Sequence, residues 1–259
     1  MRLKHVFIGL LFTSVVNAIA QVPDRNYYYV DKPYYARLVV PKRVELVIEN
    51  SNIVIDTLIM DNKSSIRFPN SVTYLKVQHA KIGKRCTMNA AGVGEAPGGR
   101  GMNGRGLYIT MTFETLGSLT IDTRGGTGRL GGNGSRGVDG RNGTLGEANG
   151  GPGGPGGNGA PGGDAGDLTF YYSCNGFTPS INEAGEHAIF FKNQGGFGGG
   201  GGPGGQGGRG GKATVTRQAV PTPVIEVNGT NGVSGPAGPM GTTGDRGRDG
   251  KLIVEKIHG

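Results

Sequence analysis

The chain has 259 residues, 54 of them Gly, with 35% hydrophobic residues, no Trp and a formal charge of +8. Glycine at about three times its usual share of roughly 7% excludes a single ordinary apolar core over the whole length. Such stretches have nothing to bury and the most backbone entropy to lose.

Residues 1–20 read as a secretory signal. Arg2 and Lys4 open it, VFIGLLFTSVV (6–16) is its apolar stretch, and Ala18-Ile19-Ala20 is a small-x-small cleavage site. The apolar stretch falls short of the roughly 20 residues that span a bilayer, so the mature chain is expected to be exported and not membrane-spanning. Secretion, the outer cell surface and the periplasm all fit. Without Arg2 and Lys4, the remaining basic side chains still outnumber the 19 acidic ones. That balance leans toward anionic surfaces.

QVPDRNYYYVDKPYY (21–35) is a polar, Tyr-rich lead-in, extended or an edge strand, whose aromatic rings cover one end of a β structure or line a sugar-binding surface. From 37 to 79 the chain turns β. VELVIEN, SNIVIDTLIM, SSIRFP and TYLKVQ alternate apolar and polar residues and are separated by Pro41, Asn50, Asn62, Pro69 and Asn70. Residues 80–106 are a transition with a first Gly excursion. After them, strand-like runs alternate with Gly-rich runs: LYITMTF (107–113) and SLTIDT (118–123), then LTFYYS (168–173), HAIFFKN (187–193), ATVTRQ (213–218), VIEV (224–227) and LIVEKI (252–257). The organisation expected is a signal (1–20), an N-terminal β domain with its transition (21–106), and strands alternating with Gly-rich excursions (107–259).

The Gly runs keep a three-residue phase. Gly125, Gly128, Gly131 and Gly134 begin one frame and Gly229, Gly232 and Gly235 another. Gly195, Gly198, Gly201, Gly204, Gly207 and Gly210 carry a second glycine one step later, as does the stretch 150–163. A left-handed threefold helix turns every third residue the same way, so bare ridges let neighbouring helices approach and hydrogen-bond. The fold class expected is therefore all-β with polyglycine II helices: a short-strand β stem, sandwich or solenoid-like, carrying a bundle of Gly-rich left-handed threefold helices. The 17 residues from 195 to 211 are expected to double back, so that their flanking strands are neighbours.

GTNGVSGPAGPMGTTGDRGRDG (229–250) resembles bacterial collagen-like sequence. The doubled-glycine runs are similar to the polyglycine II bundles of springtail antifreeze proteins and phage tail-fibre adhesins. That resemblance implies stacked helices whose exposed ends or faces bind ice or a bacterial surface, and it carries over no functional residue.

Catalytic and metal sites find no support in the sequence. His5, His79, His187 and His258 are scattered, and neither Gly-x-Ser-x-Gly nor His-Glu-x-x-His occurs. GGRGGKAT (207–214) lacks the first Gly and the Ser/Thr of a phosphate loop. GGNGSR (131–136) has Arg136 where a calcium repeat needs Asp. No CxxC or paired Cys/His spacing suggests zinc. No cofactor is expected. Cys86 and Cys174 are candidates for a disulfide after export, or for two buried thiols.

Arg124, Arg129, Arg136, Arg141, Arg209, Arg246 and Arg248 stand in or beside the Gly runs. They form either a basic face for an anionic surface or solubilising side chains on a bare rod. Export argues against the RNA binding that RGG at 124–126 and 209–211 suggests in other compartments, so no nucleic acid is expected. The function expected is a non-catalytic structural or adhesive protein of the cell surface. Its partner is a cell-surface glycan or an envelope protein complex. An accessory subunit of an outer-membrane complex and an ice-binding protein are the alternatives. Monomer and trimer both remain open.

Overall fold

The computed structural model describes residues 27–142, 148–212, 215–218, 225–228 and 232–257. The signal, and Gly229 of the third run, lie outside them.

Among the described residues fifteen strands follow in chain order. The first seven are β1 (Tyr27–Val30), β2 (Tyr34–Val40), β3 (Glu45–Ile48), β4 (Asn52–Met60), β5 (Ser65–Arg67), β6 (Val72–Ile82) and β7 (Cys86–Asn89). After the 3-10 turn Pro97–Gly99 come β8 (Gly106–Leu116), β9 (Ser118–Asp122), β10 (Leu168–Cys174), β11 (Ser180–Ile181) and β12 (Ala188–Lys192). The last are β13 (Val215–Gln218), β14 (Ile225–Asn228) and β15 (Leu252–Lys256).

From β2 to β9 the chain alternates between two sheets. A seven-stranded sheet has the order β1-β3-β5-β7-β9-β12-β11 and a six-stranded sheet the order β15-β10-β8-β6-β4-β2. Every strand pairing in both sheets is parallel; the separate β13–β14 pair is antiparallel. Strand period 2 turns Ile53, Ile55, Leu75, Val77, Leu107, Ile109 and Met111 inward from one sheet. They meet Ile48, Ile66, Met88, Ile121 and Phe191 of the other in one buried cluster. Full burial of each such side chain is worth about 1.5–3 kcal/mol. Phe170 packs edge-on against Phe191, with ring centroids 5.5 Å apart.

Successive circuits lengthen. In-register positions of the six-stranded sheet run Tyr34, Val54, Lys76, Thr110, Tyr171 and Glu255. The steps between them are 20, 22, 34, 61 and 84 residues. The additional chain leaves after a strand of the seven-stranded sheet and enters the next strand of the six-stranded one: after β7 for residues 90–105 and after β9 for 123–167. After β12 the chain makes its last excursion, through the β13–β14 pair, before β15.

The Gly-rich chain forms four limbs: 125–141 out, 148–166 back, 195–211 out and 232–250 back. Backbone hydrogen bonds join them every third residue. Gly157 N–H donates to Gly132 O, Gly202 N–H to Gly157 O and Gly241 N–H to Gly202 O, at 2.7–2.9 Å. Gly131 N–H donates to Gly200 O and Gly156 N–H to Pro239 O, both at 2.9 Å. The second and third limbs therefore each touch three neighbours, and the first and fourth limbs two. That is why the second and third carry two glycines per triplet and the others one.

The expected fold class does not hold. The fold is two wholly parallel sheets, a pairing otherwise met in α/β chains, with almost no helix. Among the described residues the one helical element is the 3-10 turn Pro97–Gly99. The Gly-rich runs are not helices on a separate stem. They are extended limbs whose bonds go to neighbouring limbs, and they enlarge one side of the two-sheet winding. Nor does 195–211 double back: β12 and β13 lie in different sheets, and the return is made by 232–250.

Candidate functional site

The outer face of the six-stranded sheet carries an open groove of about 480 Å³. Parallel register places Asn52, Tyr74, Tyr108 and Thr169 in one cross-strand row, and Val54, Lys76, Thr110 and Tyr171 in the next. Tyr74 is 50% exposed and Tyr108 37%. Their rings stack at 4.8 Å between centroids and 18° between planes. That separation equals the spacing of adjacent strands, so the pairing itself holds the two rings face to face. Pro33, Asn52, Lys76, Thr110 and Tyr171 also line it, over a floor of aliphatic strand residues. Flat aromatic surface beside amide, ammonium and hydroxyl groups suits a ligand with alternating apolar faces and hydroxyls.

Beside the groove, Tyr34 donates its phenol hydrogen to Asp56 Oδ2 at 2.5 Å. This bond raises the Tyr34 pKa above the usual phenol range. The Tyr-rich lead-in thus contributes Tyr34 and Pro33 to the groove's edge. Tyr74 and Tyr108 come from TYLKVQ and LYITMTF, runs in which the sequence marks strands but singles out no site residue. Their row is visible only once the register is known.

The Gly positions singled out from the sequence sit at the closest limb contacts. A Cβ at Gly125, Gly128, Gly131 or Gly134 would lie 1.9–2.2 Å from a carbonyl oxygen of the second limb. At Gly195, Gly198, Gly201, Gly204, Gly207 or Gly210 it would meet the fourth limb at 1.8–2.0 Å. Gly232 and Gly235 face Ala148 O and Gly151 O at 1.9 and 2.1 Å. No side chain fits there.

A ladder of Asn and Asp side chains, which sequence reading missed, fixes parallel limbs in register. Asn149, Asn158, Asp164 and Asp167 accept the backbone N–H of Val233, Thr242, Arg248 and Lys251, each 84 residues on. Asp139 and Asn142 accept those of Arg209 and Lys212, each 70 residues on. The signal was present in the sequence: the second-limb acceptors all fall on one three-residue phase.

Much of the expected basic face is neutralised. Arg124 pairs with Asp122 at 2.8 Å, Arg136 with Asp139 at 2.7 Å, Arg246 with Asp249 at 2.9 Å and Arg248 with Asp164 at 3.0 Å. Arg246 also lies 5.7 Å from the centre of the Phe197 ring. The Asp139 carboxyl is held below its ordinary pKa, first by the N–H of Arg209 and then by Arg136. Arg129, Arg141 and Arg209 make no ion pair among the described residues. The seven arginines therefore do not act as one uncompensated face.

The two cysteines are free and no disulfide joins them. Cys86, in β7, is buried beside Ser64 Oγ and the carbonyls of Met60 and Asp61, and burial raises its thiol pKa. Cys174 ends β10 in the other sheet. Among the described residues no three His, Cys, Asp or Glu side chains gather as a metal site, and no helix is long and apolar enough to cross a membrane. Comparison with protein-family models, curated proteins and solved structures finds no match to this chain.

Proposed function

We propose that this is an exported, non-catalytic structural and adhesive protein of the cell surface, which contacts a glycan through the groove on its six-stranded sheet. The stacked Tyr74–Tyr108 pair, open to solvent and flanked by Asn52, Lys76 and Thr110, carries the reading. Sugar rings have apolar faces that lie on aromatic planes and edge hydroxyls that need hydrogen-bonding partners. The Gly-rich limbs supply reach, and the signal at 1–20 supplies the route outside.

The test is binding of the purified mature chain to intact cells and to a panel of neutral polysaccharides, alongside Tyr74→Ala/Tyr108→Ala. The reading expects at least a tenfold loss of binding in the double variant with an unchanged melting temperature. Equal binding by both proteins would overturn the groove. Recovery from native envelopes with a stoichiometric membrane partner would reassign the chain as an accessory subunit.

A further inference from the structure

The turns that carry the chain from the six-stranded to the seven-stranded sheet stack on one another. Glu45, Ser65 and Thr87 are in register across β3, β5 and β7. Two residues earlier in each turn stand Arg43, Lys63 and Arg85; one further back stand Lys42, Asn62 and Lys84. Five of these six positions are basic, and all six side chains are exposed.

The backbone makes the pattern more pointed. Arg43, Lys63 and Arg85 hold φ of 61°, 63° and 59°. This left-handed region favours Gly and Asn and costs other residues on the order of 1 kcal/mol. Three stacked turns nevertheless place an arginine or lysine there. Tight-turn geometry asks for a small residue; it gives no reason for a cation.

We infer that this stacked corner is a binding surface for a linear polyanionic polysaccharide, a chain of uronate or similarly charged sugars, with one cationic rung per circuit. Adjacent rungs are about 4.8 Å apart, the spacing of paired strands. A cleft of about 320 Å³ adjoins the ladder, lined by Lys42, Asp61, Asn62, Lys81, Gly83 and Thr115.

Two neighbouring groups bound the charge. Lys81 is paired with Glu114 at 3.2 Å and contributes little, and Asp61 is an exposed acid beside the ladder. In the next circuit the equivalent positions are Gly117 and Ser118, and Ser118 Oγ accepts the Arg85 N–H at 2.7 Å. The basic surface is therefore a narrow line that ends at the fourth turn. An extended polymer lies along such a line, whereas a lipid surface needs a broad face. None of the seven rod arginines belongs to it.

The experiment measures binding of the mature chain to polygalacturonate and, separately, to phosphatidylglycerol vesicles. Arg43→Asn/Lys63→Asn/Arg85→Asn removes the charge while keeping a residue that tolerates the left-handed backbone. Polygalacturonate affinity should fall at least tenfold in this variant, and wild-type binding should weaken as salt rises. If the triple variant fails to fold, Lys42→Gln/Lys84→Gln serves instead and should lose at least threefold.

Unchanged affinity in the folded variant would overturn the inference. So would wild-type binding to vesicles but not to polygalacturonate, or loss of binding in Arg136→Asn/Arg246→Asn instead. Tyr74→Ala/Tyr108→Ala should leave polygalacturonate binding intact, so this surface and the aromatic groove stand or fall separately.

Discussion

Asp164 and Arg248, 84 residues apart, are joined twice: Asp164 Oδ1 accepts the Arg248 backbone N–H at 2.8 Å, and Oδ2 accepts its guanidinium at 3.0 Å. A second arginine, Arg100, lies 3.7 Å from the same carboxylate. The side chain thus ties the second limb to the fourth and both to the loop before β8. These bonds, those of Arg248 foremost, hold the Asp164 carboxyl below the ordinary carboxylate pKa. A depressed folded pKa stabilises the fold above the unfolded value of about 3.9 and is lost as pH falls through the folded one. Limb protection in hydrogen exchange should therefore weaken below about pH 4. Asp164→Asn keeps the acceptor for the Arg248 N–H, so it should flatten that acid dependence and cost less at neutral pH than Asp164→Ala. An Asn variant with wild-type acid sensitivity would refute the assignment.

The close approach of the limbs gives a paired test. A Cβ at Gly201 would lie 1.9 Å from Gly241 O, whereas one at Gly132 would meet nothing within 4 Å. Gly201→Ala should destabilise the limbs by about 3 kcal/mol or more, because neither backbone can retreat without breaking its ladder. Gly132→Ala should be neutral or slightly stabilising. Thermal melts and limited proteolysis of the two variants check both outcomes.

Thr73, in β6, is fully buried, and its hydroxyl has no hydrogen-bond partner. Thr73→Val keeps the shape and removes an uncompensated polar group. The expected gain is about 1 kcal/mol in chemical denaturation. A loss of similar size would point to a bond that the hydroxyl makes through water.

Collagen-like sequence ordinarily calls for three chains, yet the glycines of the fourth limb are already occupied. Gly232, Gly235, Gly238, Gly241, Gly244 and Gly247 all face carbonyls of the second limb within the same chain. Among the described residues no bare ridge of this limb is left over for a trimer. Light scattering should find a monomer at micromolar concentration, and a stable trimer would contradict this account of the limbs.

The strands were legible where alternation was clean. SNIVIDTLIM became β4, LYITMTF lies inside β8 and LIVEKI contains β15. What alternation cannot carry is the identity of a neighbour. It says which residues share a face but not which strand lies alongside, so the parallel pairing, the Tyr74–Tyr108 row and the basic corner stayed hidden. β7 was absorbed into the transition because four residues are too few to show a period. The glycine phase did carry usable information: one or two glycines per triplet tracks whether a limb has two or three neighbours. The Asx ladder was equally periodic, but a period of Asn and Asp does not name the limb whose N–H groups they accept.

Because every cross-link among the limbs recurs at intervals of three, their reach is quantised. A change of one or two residues in a single limb would put a side chain where only hydrogen fits. Adding a full triplet to all four limbs would restore every contact one step further out. The span is thereby adjustable in whole increments, coordinated across four distant stretches of gene, while the sheets at its base need not change.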